Sequence, residues 1–276
     1  MEFTTEKATA PRADAYDVVI VGGGASGLAA GVFVARYGLD AVIFDRGQSA
    51  TCQCYTLENY LGFLGIDPAA FLELGRAHAQ FEGCAVVDDM VSTVEGVDDG
   101  FRVETQDGKT VTTDSVIAAS AYNADYLCDL DDGRFHDEGD HPVDCDEATG
   151  RTEIDGLYVA GWLSGGPHQV LISAGHGARV AKALVADRRA GEGYWEEVAA
   201  YWDWCVEDGT YGDDEWHRHV DEWFDGTVPD DCNEAFVEAV REEVKSERLA
   251  IQQTEAERRR RIERGKELLR WYLDER

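Results

Sequence analysis

The first stretch that could do chemistry is GGGASG at residues 22–27, which fits the pattern G-x-G-x-x-G. Gly22 permits a tight turn, Gly24 lets the backbone approach a pyrophosphate, and Gly27 lets a helix pack closely on a strand. The N–H groups at the start of that helix, including those of Ala25 and Ser26, would bind phosphate oxygens with help from the helix dipole. The motif therefore predicts a phosphate-binding turn for a dinucleotide.

The neighbouring residues provide the strands and the helix that this motif requires. The run DVVIV (17–21) predicts a buried parallel strand, residues 28–38 predict a helix that ends at a glycine, and AVIFD (41–45) predicts a second buried strand. Asp45 ends this strand about 20 positions after the first glycine, where an acidic residue accepts hydrogen bonds from ribose hydroxyls. These segments predict a βαβ unit that binds a dinucleotide.

Two cysteines, Cys52 and Cys54, follow the second strand with one residue between them. A disulfide across one residue closes a small strained ring, which is more easily reduced and would suit an electron relay. The alternative is two reduced structural thiols, because free cysteine is commonly buried as a small apolar residue. The other five cysteines are scattered without metal-ligand spacing, so neither a disulfide framework nor a metal site is predicted.

The charge composition is unusual for a chain of 276 residues. It holds 56 acidic against 25 basic residues, a formal net charge of −31, and only five of the basic residues are lysine. Such a protein repels itself at low ionic strength, whereas molar salt shortens the Debye length to roughly 3 Å and screens the repulsion. The composition favours a protein of a salt-accumulating halophile over an ordinary acidic protein. It argues against nucleic-acid binding, since phosphates would be repelled.

The hydrophobic pattern predicts an α/β fold. Beyond the first βαβ unit, the predicted elements are a helix at 68–81, a strand at 85–87, an antiparallel β-meander from 90 to 113, and buried strands at 115–120 and 156–161, followed by a loop and helix over 165–187. Residues 129–141 are very acidic and predict a solvated connection. We expect a disordered tail at 1–15, a Rossmann-like domain at 16–188 and an α-helical extension at 189–276.

The C-terminal extension contains six of the seven tryptophans. Residues 194–208 and 215–226 predict amphipathic helices, and residues 233–273 predict one long helix with an apolar stripe in its first half (Phe236, Val237, Val240, Val244 and Ile251). These helices could cover a cofactor or form a dimer interface. The basic stretch ERRRRIERGK (257–266) is interleaved with glutamates and predicts a solvated or intersubunit face.

No run of about 20 apolar residues predicts a membrane span, and the N-terminus MEFTTEKATAPRADAYD has no apolar signal-peptide core. We therefore expect a cytoplasmic protein without membrane attachment.

Three segments resemble the FAD-binding domain of the thioredoxin reductase-like family of pyridine nucleotide-disulfide oxidoreductases. The first is DVVIVGGGASGLAAGVFVARYGLDAVIFD (17–45). The second is LENYLGF (57–63), similar to the family's E-N-Y-P-G-F. The third is IDGLYVAGWLSGGPHQVLISAGHGARVAKAL (154–184), similar to the family's A-G-D strand end followed by R-Q-A-x-x-S-A-G. The resemblance covers roughly residues 16–188 and implies FAD as the cofactor.

The resemblance also implies where each part of FAD would lie. The pyrophosphate would bind at residues 22–27 and the adenosine at Asp45, whereas the isoalloxazine would lie near Asn59, Trp162 and residues 168–170. The full set of implied cofactor-binding residues is Gly22, Gly24, Ala25, Ser26, Gly27, Asp45, Arg46, Asn59, Val87, Gly161, Trp162, Gln169 and Val170. Implied catalytic residues are Cys52, Cys54 and His168, where His168 is either a flavin contact or a base that titrates near neutrality.

The chain departs from the family in three places. The family inserts an NADPH-binding domain before its final FAD segment, whereas only about thirty residues are available here, fewer than a nucleotide-binding domain needs. The family's redox C-x-x-C lies in that domain and is absent with it. The aspartate of A-G-D is Trp162, and the family's A-T-G-A segment reads Ala119-Ser120-Ala121, without its glycine.

These observations favour an FAD-dependent oxidoreductase that lacks an NADPH domain. It would pass electrons between a partner protein or a small substrate and a disulfide through Cys52 and Cys54. A non-catalytic FAD-binding or scaffold protein derived from the same family is the alternative, and an oxidase that uses oxygen directly is a third possibility. We expect a homodimer.

Overall fold

The computed structural model describes residues 14–130, 143–230 and 232–274. The chain divides into two compact units, Met1–Leu184 and Val185–Arg276. Of the predicted N-terminal tail, residues 1–13 lie outside the described residues, and Ala15 already belongs to the first strand. Most of the predicted acidic connection at 129–141 also lies outside them.

The first unit contains a seven-stranded mixed sheet, as predicted for an α/β fold. Its strands are β1 (Ala15–Val21), β2 (Ala41–Phe44), β3 (Ala85–Val87), β4 (Val91–Val97), β5 (Gly100–Thr105), β6 (Thr110–Ala118) and β7 (Leu157–Val159). The order across the sheet is β3-β2-β1-β6-β5-β4, with β7 also paired to β6. Strands β3, β2, β1, β6 and β7 run parallel, and β4, β5 and β6 form the predicted antiparallel meander.

Strand β6 corrects one sequence prediction. Residues 109–113 and 115–120 were expected to form two strands, the last of the meander and a separate buried one. The structure has a single strand here: its first half pairs with β5, its second half pairs with β7, and Thr112 to Ala118 pair with β1 along the other edge. Its burial alternates over residues 110–114 and is continuous over 116–118, because only the second half is covered on both faces.

Two helices of the first unit pack on each other beside this sheet. Helix α1 (Ala25–Tyr37) ends at Gly38, and helix α2 (Pro68–Glu82) begins with proline after Asp67, whose side chain accepts a hydrogen bond from the N–H of Ala70. Both confirm the predicted helices. An added Cβ at Gly75 of α2 would come within 3.0 Å of Leu28 of α1, so the two helices approach closely.

Helix α3 (Val170–Gly191) follows the last strand of the sheet after a 3-10 turn at Gly161–Ser164. The second unit begins within this helix and contains α4 (Glu196–Ala199), α5 (Asp214–Asp225), α6 (Glu234–Ala250) and α7 (Glu255–Asp274), with the short parallel strands β8 (Val206–Glu207) and β9 (Gln252–Gln253). Its core consists of Tyr194, Trp195, Val198, Ala199, Phe224, Val240 and Val244.

Two predictions about this extension are wrong. Residues 194–208 were expected to form one amphipathic helix, but only Glu196–Ala199 is helical and Val206–Glu207 is a strand. The long helix predicted over 233–273 is divided after Ala250, because Gln252–Gln253 pairs with that strand. The helix predicted at 215–226 is confirmed as α5. Among the described residues, no helix has the length and apolar character needed to span a bilayer.

Candidate functional site

The main cavity of the first unit opens at the carboxyl ends of β1, β2 and β6. Its volume is about 510 Å³, within the range of ligand pockets. The residues that follow each of these strands line it, as expected for ligand sites in parallel sheets. These residues are Gly22–Ser26 after β1, Asp45 and Arg46 after β2, and Ala119–Asn123 after β6.

The glycine-rich turn after β1 has the geometry of a phosphate-binding turn. Gly22 has φ +110°, and an added Cβ would lie 2.6 Å from the carbonyl oxygen of Ala119. An added Cβ at Gly27 would overlap the carbonyl oxygen of Gly22, so only glycine allows this approach. Gly24 precedes α1, whose first turn has no side-chain cap and no acidic residue within the described chain. The free N–H groups and the helix dipole can therefore bind an anion.

Asp45 lies in the cavity wall and is already partly hydrogen-bonded. Its Oδ1 accepts the N–H of Gly47 at 3.0 Å, and its Oδ2 accepts Nη1 of Arg76 at 2.9 Å. The Arg76 guanidinium also donates to Asp88, and the N–H of Asp45 donates to the carbonyl of Val87 at 2.9 Å. A carboxylate accepts about four hydrogen bonds, so Asp45 retains capacity for a ribose hydroxyl.

Aromatic side chains form another part of the cavity wall. The rings of Tyr122 and Trp162 meet edge to face with centroids 4.0 Å apart, and the ring of His168 also contacts that of Trp162. Gln169, next to His168, accepts a hydrogen bond of 2.6 Å from Nδ2 of Asn59. This bond joins two of the segments on which the family resemblance rests.

Cys52 and Cys54 lie at a 3-10 turn, Ala50–Gln53, at the edge of the cavity. Both thiols are free and exposed, and Cys54 lines the cavity whereas Cys52 does not. Although Cys52 is exposed, partial desolvation of its sulfur raises its pKa, and the carboxylates of Asp67 and Asp45 raise that pKa further. The thiolate, which is the reactive form of cysteine, is therefore disfavoured at Cys52 in this arrangement.

The cavity brings together most of the residues singled out from the sequence. Those that line it are Gly22, Gly24, Ala25, Ser26, Asp45, Arg46, Cys54, Trp162, His168, Gln169 and Val170. Gly27, Asn59, Val87 and Gly161 do not line the cavity, but each contacts or hydrogen-bonds a residue that does. Within the described residues, no cluster of three or more potential metal ligands occurs.

Several lining residues were not predicted. They include Gln48, Ser49, Asp89, Met90, Ser92, Tyr122, Asn123, Asp125, Tyr126 and Ser173. Most follow the carboxyl end of a parallel strand, and that position is the signal that could have identified them. Among them, burial raises the pKa of Tyr126, whose hydroxyl lies 2.8 Å from Oγ of Ser120.

Comparison with solved structures decides the fold. The thioredoxin reductase of Gloeobacter violaceus matches with a TM-score of 0.59 and 17% identity over 70% of this chain and 99% of its own. The fold is that of thioredoxin reductases. The enzyme of T. acidophilum matches with a TM-score of 0.55 and 18% identity, over 64% of this chain and 99% of its own.

An atypical thioredoxin reductase of Desulfovibrio vulgaris Hildenborough matches with a TM-score of 0.52 and 18% identity, over 63% of this chain and 98% of its own. Residues 20–71 match the family described as an NAD(P)-binding Rossmann-like domain. No curated protein sequence matches the chain significantly. These similarities identify the fold as Rossmann-like.

The residues of the main cavity fit a dinucleotide cofactor. The glycines of the turn leave the backbone open, the uncapped start of α1 offers N–H groups, and Asp45 stands where the ribose is expected. In the same cavity, an aromatic ring, that of Trp162, replaces the expected aspartate.

Proposed function

We propose that the first unit binds FAD in the main cavity and that the protein is an FAD-dependent oxidoreductase. One observation carries this proposal: a single cavity is lined both by the glycine-rich turn and by Trp162, His168, Gln169 and Val170. Ala25 and Ser26 would hold the pyrophosphate by their N–H groups, and Asp45 would hold the ribose. The bound flavin would supply the electron transfer.

The protein side chains would orient the cofactor and control access to it. The hydrogen bond from Asn59 positions Gln169, whose amide would lie next to the flavin ring of the bound cofactor. The rings of Trp162 and Tyr122 would exclude water from the flavin ring. His168 contacts Trp162 and is exposed, so its imidazole would lie beside the bound cofactor at the rim of the cavity.

Electrons would enter from a partner protein or a small substrate rather than from NADPH bound to this chain. About forty residues join β6 to β7, fewer than the roughly 50 residues of a small domain. The electrons would leave through Cys52 and Cys54 to a disulfide of the acceptor. Because both thiols are exposed at the cavity edge, this pair is accessible to a partner disulfide.

The alternative is a non-catalytic FAD-binding or scaffold protein. Two observations favour it: Trp162 stands where the family has an aspartate, and the pKa of Cys52 is raised rather than lowered. The disfavoured thiolate would make Cys52 a slow nucleophile.

The test of cofactor binding is the visible spectrum of the protein purified in high KCl, before and after incubation with FAD. The variant Gly24→Ala should bind FAD more weakly, because the added methyl group would lie where the backbone approaches the pyrophosphate. The variant should still fold, because the added Cβ meets only Oγ of Ser49, at 3.3 Å. Gly265→Ala, whose added methyl meets open space in α7, is the matched control and should bind FAD normally. A wild type that takes up no FAD would overturn the proposal.

The test of the cysteine relay is an anaerobic dithionite titration with thiol counting. A redox disulfide adds two electrons to those taken up by the flavin. Wild type should show this extra uptake, and Cys54→Ser should lose it. If wild type and variant take up equal numbers of electrons and a bound flavin never turns over, the scaffold alternative is supported.

A further inference from the structure

Two leucines in the loop that precedes α2 are exposed almost completely. Leu64 is 100% exposed and Leu61 is 85% exposed. Leu171 and Ile172, in the first turn of α3, are each close to half exposed. A single exposed apolar residue is ordinary, whereas several that lie together mark an interaction surface.

A hydrogen bond holds the loop beside the first turn of α3. Nδ2 of Asn59 donates to Oε1 of Gln169 at 2.6 Å, and the exposed leucines 61 and 171 each follow one of these residues by two positions. The two segments therefore form one surface of the first unit. We call it the leucine surface, and its residues are Leu61, Leu64, Leu171 and Ile172.

The contacts of the loop explain why its two leucines are exposed. Leu57 and Ile66 are buried and exchange two backbone hydrogen bonds of 3.0 Å, one in each direction. The ring of Tyr60 packs on a phenylalanine ring of α2, with centroids 4.7 Å apart. These contacts hold both ends of the loop, while Leu61 and Leu64 lie between the anchored ends and stay in solvent. Their exposure is a property of an ordered loop.

The two segments are almost without charge in a very acidic chain. Glu58 is the single charged residue in the sequence from 49 to 66, and residues 161–178 include no Asp, Glu, Lys or Arg, although 29% of the whole chain is charged. Two molecules of net charge −31 repel each other, and the repulsion is weakest where the surfaces that meet carry few carboxylates. The centre of a protein interface is likewise depleted of charged residues.

A second copy of this chain matches the leucine surface. In a two-fold contact the same patch of each copy meets itself, so apolar side chains would contact apolar side chains. A standard interface takes roughly 20–30 residues from each partner. Residues 49–66 and 161–178, most of which are at least partly exposed, are long enough to supply them.

We propose that the protein forms a two-fold dimer through the leucine surface, with Leu61 and Leu64 at the centre of the interface. The dimer does not depend on FAD binding in the main cavity. Salt should strengthen it, because screening removes the repulsion between two acidic chains. A dimer held instead by ion pairs between the basic stretch 257–266 and an acidic surface would weaken as salt is added.

The experiment measures the mass of the full-length protein by analytical ultracentrifugation, over a range of protein and KCl concentrations at which tryptophan fluorescence shows a folded chain. Wild type should reach twice the mass of one chain, 30.5 kDa, and its dissociation constant should fall as KCl rises. Leu64→Glu should raise the dissociation constant about tenfold or more, because it places two carboxylates at an apolar contact.

Leu269→Glu is the matched control. Leu269 is an exposed leucine of α7, so the same substitution there should leave the dissociation constant unchanged. Both variants should fold, because both side chains lie in solvent.

Hydroxyl-radical footprinting read by mass spectrometry locates the interface. Oxidation of Leu61 and Leu64 should fall as the protein concentration passes the dissociation constant, while oxidation of Leu269 stays constant. A wild type that remains a monomer, a dimer that Leu64→Glu does not weaken, or a dimer that salt weakens would each overturn the proposal. Binding of a monomeric wild type to phosphatidylcholine vesicles would overturn it in favour of a lipid surface as the occupant.

Discussion

Nη1 of Arg76 on α2 donates to Oδ2 of Asp45 at 2.9 Å, at the edge of the main cavity. The Asp45 side chain is 10% exposed, so its charge is largely removed from water. A buried carboxylate needs a compensating partner, and Arg76 provides it. The acidic residue predicted from the sequence to bind ribose is therefore held in place by a helix that the nucleotide-binding motif does not include.

Replacement of Arg76 by methionine should lower the free energy of unfolding by about 2 kcal/mol, because a charged hydrogen bond to a buried carboxylate is lost. FAD affinity should also fall, since Asp45 would no longer be oriented. Chemical denaturation in high salt and an FAD titration measure the two effects.

Arg102→Met is the control for Arg76→Met. The pair Arg102–Glu95 has a similar distance, 3.1 Å, but both side chains are more than 40% exposed, so its loss should cost less than about 1 kcal/mol. Equal destabilisation by the two variants would contradict the role given to Arg76.

Ala121→Gly should stabilise the protein. Ala121 has φ +67°, and it is the sole non-glycine residue with positive φ in the described part of the chain. Relief of this strain is worth about 1–2 kcal/mol, of which the greater freedom of glycine in the unfolded chain offsets about 0.4–1 kcal/mol. We therefore expect the free energy of unfolding, measured by thermal denaturation, to rise by up to about 1.5 kcal/mol.

The matched control is Ala148→Gly. Ala148 is exposed in a turn and does not have positive φ, so the substitution should destabilise the protein slightly. The strain argument is contradicted if Ala121→Gly is no more stable than Ala148→Gly.

Local patterns predicted the first unit well. The βαβ unit around Gly22, the helix that begins at Pro68 and the meander were all recognisable, because buried runs, a proline at a helix start and an Asp-Gly turn are local signals. The predictions that failed depended on distant pairing. The long C-terminal helix is divided where Gln252 pairs with Val206, and no local signal marks that pairing.

The candidate site was predictable to a similar extent. Gly22, Asp45 and Gln169 follow from motifs, whereas Arg76 and His176 do not. Arg76 lies on a different element and reaches Asp45 only through the packing of α2, and His176 is identified by the hydrogen bond from Gly161. Side-chain pairs between elements depend on tertiary structure, which a single sequence does not display.

His176 should make stability depend on pH. Its pKa is lowered in the folded protein from the ordinary 6.5, by burial first and then by Arg179. Below about pH 6.5 the unfolded chain binds a proton that the folded protein does not, so the free energy of unfolding falls as the pH decreases. At higher pH the ring is neutral in both states and contributes no slope.

Thermal unfolding of wild type and His176→Asn between pH 5 and 8 checks this. The free energy of unfolding of the variant should decrease less at acidic pH than that of wild type. Replacement of the exposed His219 by asparagine is the control and should leave the wild-type pH dependence in place. If the stability of His176→Asn changes with pH as steeply as that of wild type, groups other than His176 cause the pH dependence.

The second unit should depend on Arg189, whose side chain is 1% exposed. It forms an ion pair with Glu247, donates to the carbonyl of Val198 at 3.0 Å and lies over the ring of Tyr194. Arg189→Met leaves Glu247 without this partner and should cost about 3–5 kcal/mol, measured by tryptophan fluorescence during denaturation.

Two controls separate the charge from the packing at Arg189. Arg188→Met removes a neighbouring arginine that is 33% exposed and should cost less than about 1 kcal/mol. The double variant Arg189→Met with Glu247→Met removes both charges, and replacement of a buried ion pair by apolar side chains is often nearly neutral. It should therefore recover most of the stability lost by Arg189→Met alone. If the double variant is as unstable as the single one, packing and the bond to Val198 account for the role of Arg189, rather than its charge.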